Sequence, residues 1–485
     1  MNSNLRRWVA LVVVCFGQLM IMLDSTIVNV ALPAIQRDLS FTQANLTWVV
    51  NAYLIAYGSF LLVAGRLGDL VGRKKVFLAG VVVFTLASGA AGLSHGVVEL
   101  VIARFVQGVG ASMSAGVIIA IIITGFPKPG ERAQAMSVFT FVIAGGGSLG
   151  LLAGGMLTQW INWHWIFFIN LPIGVATLIF GIWLIEENQG LGLGRGIDLG
   201  GAGLITAALM LLVYAMVTAT DNGWTSAHTL GFGGVAVALI AGFLVLESRL
   251  ANPIMPLRIL RIRSLTGATI ARALLFAGMF TNFFVGALFL QHVKGFTPIG
   301  TGLAFLPTTL VLGVLSAGIA ARLMGRLGPR RLLMFGMPTI IAALVLLSTA
   351  NAGSGYLPWI FTSYVLLGIG GGTSFLPLLS ISMSEVPAAD AGLASGFSNV
   401  VMQIGAAIGL AAFGAISTDH AKSLASQGER VLQALTGGYQ LAFVLAAISV
   451  SAGLVVVLAV LRSPAREERR VPARQRLSES EAEAA

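Results

Sequence analysis

The sequence predicts an all-α integral membrane protein of 14 transmembrane helices, built as two pseudo-symmetric six-helix bundles with two further helices between them. Three observations carry this: a charged fraction too small for a water-facing surface, a series of apolar runs of spanning length, and a charged segment that recurs 256 positions later.

Only 10% of the 485 residues are charged and 56% are apolar, with a mean hydropathy of +0.90. A soluble domain carries roughly 25% charged residues, so lipid must serve as part of the solvent. That balance excludes a nucleic-acid-binding protein, a disulfide scaffold and a disordered main body. The single cysteine, Cys15, lies in an apolar run and reads as a small buried hydrophobe.

A bilayer core takes about 20 apolar residues per helix. Such runs fall at about 8–32, 46–66, 76–94, 98–122, 136–157, 165–185, 199–219, 228–247, 266–290, 301–322, 332–350, 356–380, 393–416 and 438–461. With the N-terminus inside, 23 of the 29 Lys and Arg fall on the cytoplasmic side and four (Arg37, Lys294, Lys422 and Arg430) on the other. Arg104 and Arg272 lie within spans. The bias puts both termini in the cytoplasm. The first run is too long, and lacks the small-residue cleavage site, to be a removed signal peptide.

The segment from Gly65 to Lys75 (GRLGDLVGRKK) follows the second run, and Ala321 to Arg331 (ARLMGRLGPRR) follows the tenth. Both sit in short basic connections, which implies two halves in parallel orientation. The expected units are residues 1–190 (first six-helix bundle), 191–262 (two linking helices and a loop), 263–461 (second bundle) and 462–485 (a disordered cytoplasmic tail).

Asp24 is the one acidic residue deep in a span. A carboxylate at the bilayer centre costs roughly 2.5–3.5 kcal/mol on insertion scales, so it must face protein or a water-filled cavity. Asp24 precedes the outer end of helix 1 by about eight residues and Arg104 follows that of helix 4 by about six. At 1.5 Å rise per residue both lie roughly 9–12 Å deep, which makes them candidate partners. A neighbouring arginine favours the ionised carboxylate and burial favours the neutral one, so a motion that separates the pair couples proton uptake to cavity opening. An alternative is that Asp24 simply pins helix packing.

Gln107 shares the face of Arg104. Asn51, Gln291, Asn399 and Gln403 are further polar groups in or beside spans, suited equally to interhelical hydrogen bonding and to substrate contact. Arg272 lies about a turn and a half inside the ninth run; its side chain either snorkels to the interface or lines a cavity in the second half. The five histidines, His95, His164, His228, His292 and His420, show no metal-ligand spacing, and the Gly145 to Ser148 run lacks the lysine of a phosphate-binding loop. No metal, cofactor or enzymatic chemistry is expected.

The Gly65 to Lys75 segment resembles motif A of the major facilitator superfamily. With Leu23-Asp24-Ser25-Thr26-Ile27-Val28-Asn29-Val30-Ala31-Leu32-Pro33 in the first run, the chain is similar to that superfamily's fourteen-helix drug:proton antiporter family. Trp48 to Tyr53, Arg104 to Gly108, Phe167 to Pro172, Phe305 to Pro307 and Ala394 to Gly405 add to the match. The resemblance implies a proton-coupled secondary exporter of hydrophobic drugs, acting by alternating access as a monomer among membrane lipid, with protons and a small hydrophobic molecule as partners. It implies proton coupling at Asp24 and Arg104. Candidate cavity residues are Asn29, Asn51, Tyr53, Gln107, Arg272, Gln291, Asn399 and Gln403. It also implies a conformational latch at Gly65, Gly68, Asp69, Gly72 and Arg73, where the glycines 65 and 68 permit a tight turn and Asp69 faces the N-terminal end of the thirteenth helix near Ala391 to Ser395.

Gly146, Gly150 and Gly154, with Gly155, form a smooth helix 5 face for close packing that resembles motif C, the antiporter signature. That motif ends Gly-Pro-x-x-Gly-Gly, whereas here Leu151 replaces the proline; this weakens the case for antiport over symport. His164 stands between two tryptophans where such proteins commonly carry arginine. A carrier of one narrow solute, and a non-transporting sensor of the same fold, are the alternative readings.

Overall fold

A computed structural model describes residues 3–42, 45–187, 190, 199–250, 257–387 and 391–460. The expected tail over 462–485 and Arg195 lie outside the described residues. Every described element is helical, as a chain in lipid requires, because a helix satisfies its own backbone polar groups.

The first half comprises α1 (Ser3–Asp38), α2 (Trp48–Val71), α3 (Arg73–Gly92), α4 (Val97–Gly125), α5 (Pro129–Trp160), α6 (Trp165–Phe168) and α7 (Asn170–Leu184). A hairpin follows, α8 (Leu199–Asn222) and α9 (Ala227–Arg249). The second half holds α10 (Arg263–Leu288), α11 (Pro298–Val314), α12 (Ala320–Leu327), α13 (Pro329–Ser348), α14 (Phe361–Met383), α15 (Ala391–Ser426) and α16 (Val431–Val460). Prolines open α5, α11 and α13, where a missing N–H costs nothing. Ser226 and Thr297 cap α9 and α11 by accepting from Thr229 N and Gly300 N.

Eleven stretches of the described residues are long and apolar enough to cross a bilayer, or 12 with α2 counted across its bend. Fourteen is therefore not the count that length and apolarity give. One cause is plain: the run over 301–322 is broken by a π turn at Leu315–Ile319, which leaves α11 short and α12 amphipathic.

The halves share their main helix pairings. In the first, α1 packs on α5 and α7, α4 on α2 and α3, and α3 on α7; in the second, α10 packs on α15 and α16, α14 on α11 and α13, and α13 on α16. Detail repeats as well. Gly80 and Gly110 bring α3 and α4 together, and Gly336 and Gly370 do so for α13 and α14. The two motif copies each turn on a glycine in the left-handed region, Gly72 (φ 116°) and Gly328 (φ 80°), 256 positions apart; a residue with a Cβ is strained there.

This corrects the expected role of two glycines. Gly65 and Gly68 do not make the turn: α2 runs on to Val71. Gly65 faces the Gly116 carbonyl and a Cβ on Gly68 would overlap Val117, so these glycines let α2 lie against α4.

The halves meet through α5–α11, α2–α15 and α1–α10, and α8 packs on both α2 and α15. The cross-seam contacts lie from mid-depth to the end of the bundle opposite the basic motif loops. Gln291 donates to the Val30 carbonyl at 2.8 Å, Ile299 N donates to Gln159 at 3.2 Å, and Gly155 and Gly302 let the α5 and α11 backbones approach. Leu151, in place of the motif C proline, is fully buried at this crossing. With no proline inside α5, the usual cause of a sharp kink is missing there.

Candidate functional site

A closed polar network sits inside the first half, in a wall of apolar side chains. Asp24 of α1 and Arg104 of α4 meet at 2.6 Å, and their side chains are 0% and 1% exposed. The pairing expected from depth alone is thus formed. Each carboxylate oxygen is satisfied: Oδ2 accepts from Arg104 Nη1, and Oδ1 accepts from Gln107 Nε2 at 2.6 Å and from Asn170 Nδ2 at 3.1 Å. Such short charge-assisted bonds are the strong ones. Arg104 also donates to the Val49 carbonyl at 2.9 Å and to Gln107 Oε1 at 2.6 Å. Its guanidinium lies 4.4 Å from the centre of the Tyr53 ring and 5.8 Å from that of Phe167, a cation–π arrangement.

Ser88 of α3 closes the network, accepting from Gln107 at 2.8 Å and from Asn170 at 3.4 Å. Sequence reasoning did not assign Ser88 or Asn170 a role. Asn170 stands in the quoted Phe167 to Pro172 segment, and the break between α6 and α7 at Ile169 makes it the first residue of α7, with its amide on Asp24. Nothing in the pattern around Ser88 marks it out. Gln107 and Tyr53, expected at the cavity, are instead sealed around the ion pair, at 0% and 2% exposure.

The other cavity candidates are scattered. Asn29 donates back along its own helix to the Ser25 and Thr26 carbonyls, and Asn51 is fully buried with no hydrogen-bond partner among the described residues. Gln291 ties α10 to α1, and Gln403 packs against Gly58 across the α2–α15 seam. Arg272 does not snorkel: it is 8% exposed and donates to Ser398 at 2.6 Å and Asn399 at 3.4 Å.

At the basic end, Asp69 pairs with Arg73 at 3.1 Å; the expected facing of Asp69 to the stretch from Ala391 to Ser395 falls largely on residues whose side chains lie outside the described ones. The motif's cations cap helix ends, as the helix dipole favours: Arg73 donates to the Ala120 carbonyl of α4 at 3.4 Å, and Lys74 to that of Ile182 in α7 at 2.8 Å. On α5, Gly146 faces Met22, Gly150 faces Leu23 and Thr26, and Gly154 faces Ile27, so the whole row lies on α1.

At the opposite end Trp163 Nε1 donates to Asp38 at 2.8 Å, and the His164 ring lies 6.5 Å from that of His95. Burial lowers the His164 pKa from 6.5; Asp38 raises it, more weakly, and His95 lowers it further. A histidine depressed on folding binds more protons when unfolded, so its contribution is complete above pH 6.5 and is lost as the pH falls through the window below. Melting curves from pH 8 to 5 should show a modest acid-side loss of stability that His164→Gln flattens; an unchanged slope would remove His164 as its source. Among the described residues, no group of three His, Cys, Asp or Glu side chains is placed to hold a metal ion.

The sequence profile of a family described as the Major Facilitator Superfamily matches residues 14–410. The chain is 33% identical over 473 residues to the puromycin resistance protein pur8 of Streptomyces alboniger, covering 96% of this chain and 93% of the relative. It is 34% identical over 413 residues to the tetracenomycin C resistance and export protein of Streptomyces glaucescens, covering 85% and 76%. Among solved structures it is similar to a bacterial homologue of the human lysosomal transporter Spinster, in an inward-facing and unoccupied conformation. The TM-score there is 0.65 with 15% identity, over 95% of this chain and 99% of that one.

Proposed function

Because the chain belongs to the major facilitator superfamily, we propose that it is a proton-coupled exporter of hydrophobic drugs or antibiotics, working by alternating access as a drug:H+ antiporter. It is a multi-pass membrane transporter and not an enzyme. In this reading fourteen helical crossings span the cell membrane, with α6–α7 and α11–α12 each serving as one. Residues 1–190 and 263–461 are the moving bundles, 191–262 links them, and 462–485 is a cytoplasmic tail. The basic end faces the cytoplasm and both termini lie there, as the distribution of Lys and Arg favours. A single chain in lipid suffices.

The observation that carries the reading is the Asp24–Arg104 pair, sealed from solvent and ringed by Gln107, Asn170 and Ser88. A packing device needs no ionised carboxylate at this depth, whereas a proton carrier needs one carboxylate that can be hidden and released. With all three donors in place the Asp24 oxygens are engaged and shielded from solvent, so in this reading the cycle moves α1 against α4 to expose them. The cross-seam contacts near the outer end fit a state closed to the outside. Puromycin and tetracenomycin resistance in the relatives supports antibiotics as cargo, and the uninterrupted α5 leaves the direction of coupling to experiment.

The test is proton flux in proteoliposomes holding an acid interior. Lipophilic antibiotics should trigger proton release only in liposomes that contain the protein. Silence towards every compound from protein that is folded and correctly inserted would refute export and favour a sensor or a narrow carrier.

A further inference from the structure

Among the described residues, four charged side chains are buried to less than a tenth exposed: Asp24, Arg104, Glu247 and Arg272. Asp24 and Arg104 neutralise each other. Glu247 lies in the last turn of α9, which packs chiefly on α8 and belongs to the inserted hairpin. Arg272 is different. It sits in α10, the helix that touches α1, α14, α15 and α16, and every group it bonds is neutral: Ser398 Oγ at 2.6 Å, Asn399 Oδ1 at 3.4 Å and Met402 Sδ at 3.3 Å. Among the described residues no carboxylate lies within 4.0 Å of it. Those three bonds occupy three of the five N–H donors that a guanidinium offers.

The surroundings of Arg272 are amphiphilic. Phe276 and Phe280 follow it at one-turn steps on the same face of α10, their rings 6.2 Å apart, and Phe375 of α14 stacks on Phe276 at 4.8 Å. All three rings are only half-buried, although α10 has helices on several sides, so this face is not sealed by its neighbours. Ser398, Asn399 and Met402 belong to α15, the helix that meets α2 across the seam between halves. A charge left unbalanced in such a place is costly unless a counter-charge arrives, and a guanidinium fork suits a planar or tetrahedral oxyanion.

We propose that Arg272, held by Ser398 and Asn399 and continued by the Phe276, Phe280 and Phe375 rings, binds the oxyanion of an amphiphilic aromatic acid, so that the cargo class is lipophilic acids rather than lipophilic cations. This rests on the export reading and narrows it. Asp24 cannot recognise a cation in this state because its oxygens are spent on Arg104, Gln107 and Asn170. The shared chemistry, an oxyanion on an apolar body, also describes an anionic lipid, and the experiment separates the two.

The probes are 1-anilinonaphthalene-8-sulfonate and N-phenyl-1-naphthylamine, the same aromatic body with and without the sulfonate. Each is titrated by fluorescence into the full-length protein in phosphatidylcholine nanodiscs, with empty nanodiscs subtracted. Arg272→Gln should weaken the sulfonate at least about tenfold and leave the amine unchanged, and Arg272→Lys should recover part of the loss. Equal binding of the sulfonate to wild type and Arg272→Gln overturns the proposal, as does parallel loss of both probes. Displacement of the sulfonate when phosphatidylglycerol is added to the nanodiscs overturns the cargo assignment and makes Arg272 a lipid site. Because binding is read without transport, the outcome stands apart from the liposome test. Export of tetraphenylphosphonium with no preference for acids would leave the export reading intact and sink this one.

Discussion

An Asp24→Asn protein is expected to reach the membrane folded and to show no substrate-driven proton movement above empty liposomes. Asparagine keeps the shape of aspartate but puts an N–H₂ where Asp24 presents an oxygen. Arg104 donates to one oxygen and Gln107 and Asn170 to the other, so either orientation of the new amide sets donor against donor. Arg104, 1% exposed, also loses its counter-charge. Breaking a buried pair from one side costs about 3–5 kcal/mol, and the melting temperature should fall accordingly. The double variant Asp24→Asn/Arg104→Gln removes the stranded charge; it should regain part of the stability and none of the proton flux. A role confined to packing predicts the reverse: flux preserved in the double variant in proportion to folded protein.

The second large effect is expected on α5. A Cβ at Gly154 would stand 2.6 Å from the Ile27 carbonyl oxygen, a backbone atom with no rotamer to escape into. Gly154→Val therefore forces α5 off α1, at about 3 kcal/mol or more, and should abolish the monodisperse peak in size-exclusion chromatography. Gly147 is the control. Its nearest neighbour would be Thr26 Cγ2 at 4.0 Å, an ordinary contact, so Gly147→Ala should purify and melt like the parent. Equal behaviour of the two variants would mean that the glycine row does not set the α1–α5 distance.

The fold was legible in the sequence wherever one physical constraint dominated. Apolar run length located the helices but not their ends, since α5 begins at Pro129 and α15 continues to Ser426, well beyond their runs, and the 256-residue echo has a counterpart in the main helix pairings of the two halves. The Asp24–Arg104 contact was within reach because depth along a helix is arithmetic. Features that depend on azimuth were not: Ser88 and Asn170 join the site through the rotation of α3 and the break before α7, neither of which the residue pattern encodes. Gly65 and Gly68 illustrate an ambiguity of glycine itself, which marks a turn or a close approach with the same letter. Arg272 was ambiguous for a similar reason, since its long side chain can reach the interface or a partner, and Ser398 decides for the partner.

The interruption of the tenth run has a mechanical side. Where the ladder changes pitch at Leu315–Ile319, Gly318 adopts φ 126° with open space around it, and the corresponding stretch of α2 bends by 47° between Leu61 and Val63. Helices flex most easily where the regular hydrogen-bond pattern is interrupted. Each half thus carries an elbow at equivalent depth, just before its basic loop, while the glycine-lined α1–α5 and α10–α15 pairs are too tightly meshed to shear. Beyond its elbow α2 is still held on α4 by Gly65 and Gly68, whereas beyond the other elbow Gly325 and Gly328 have open space around them, so the two halves share the interruption but only the second leaves the segment after it loosely packed.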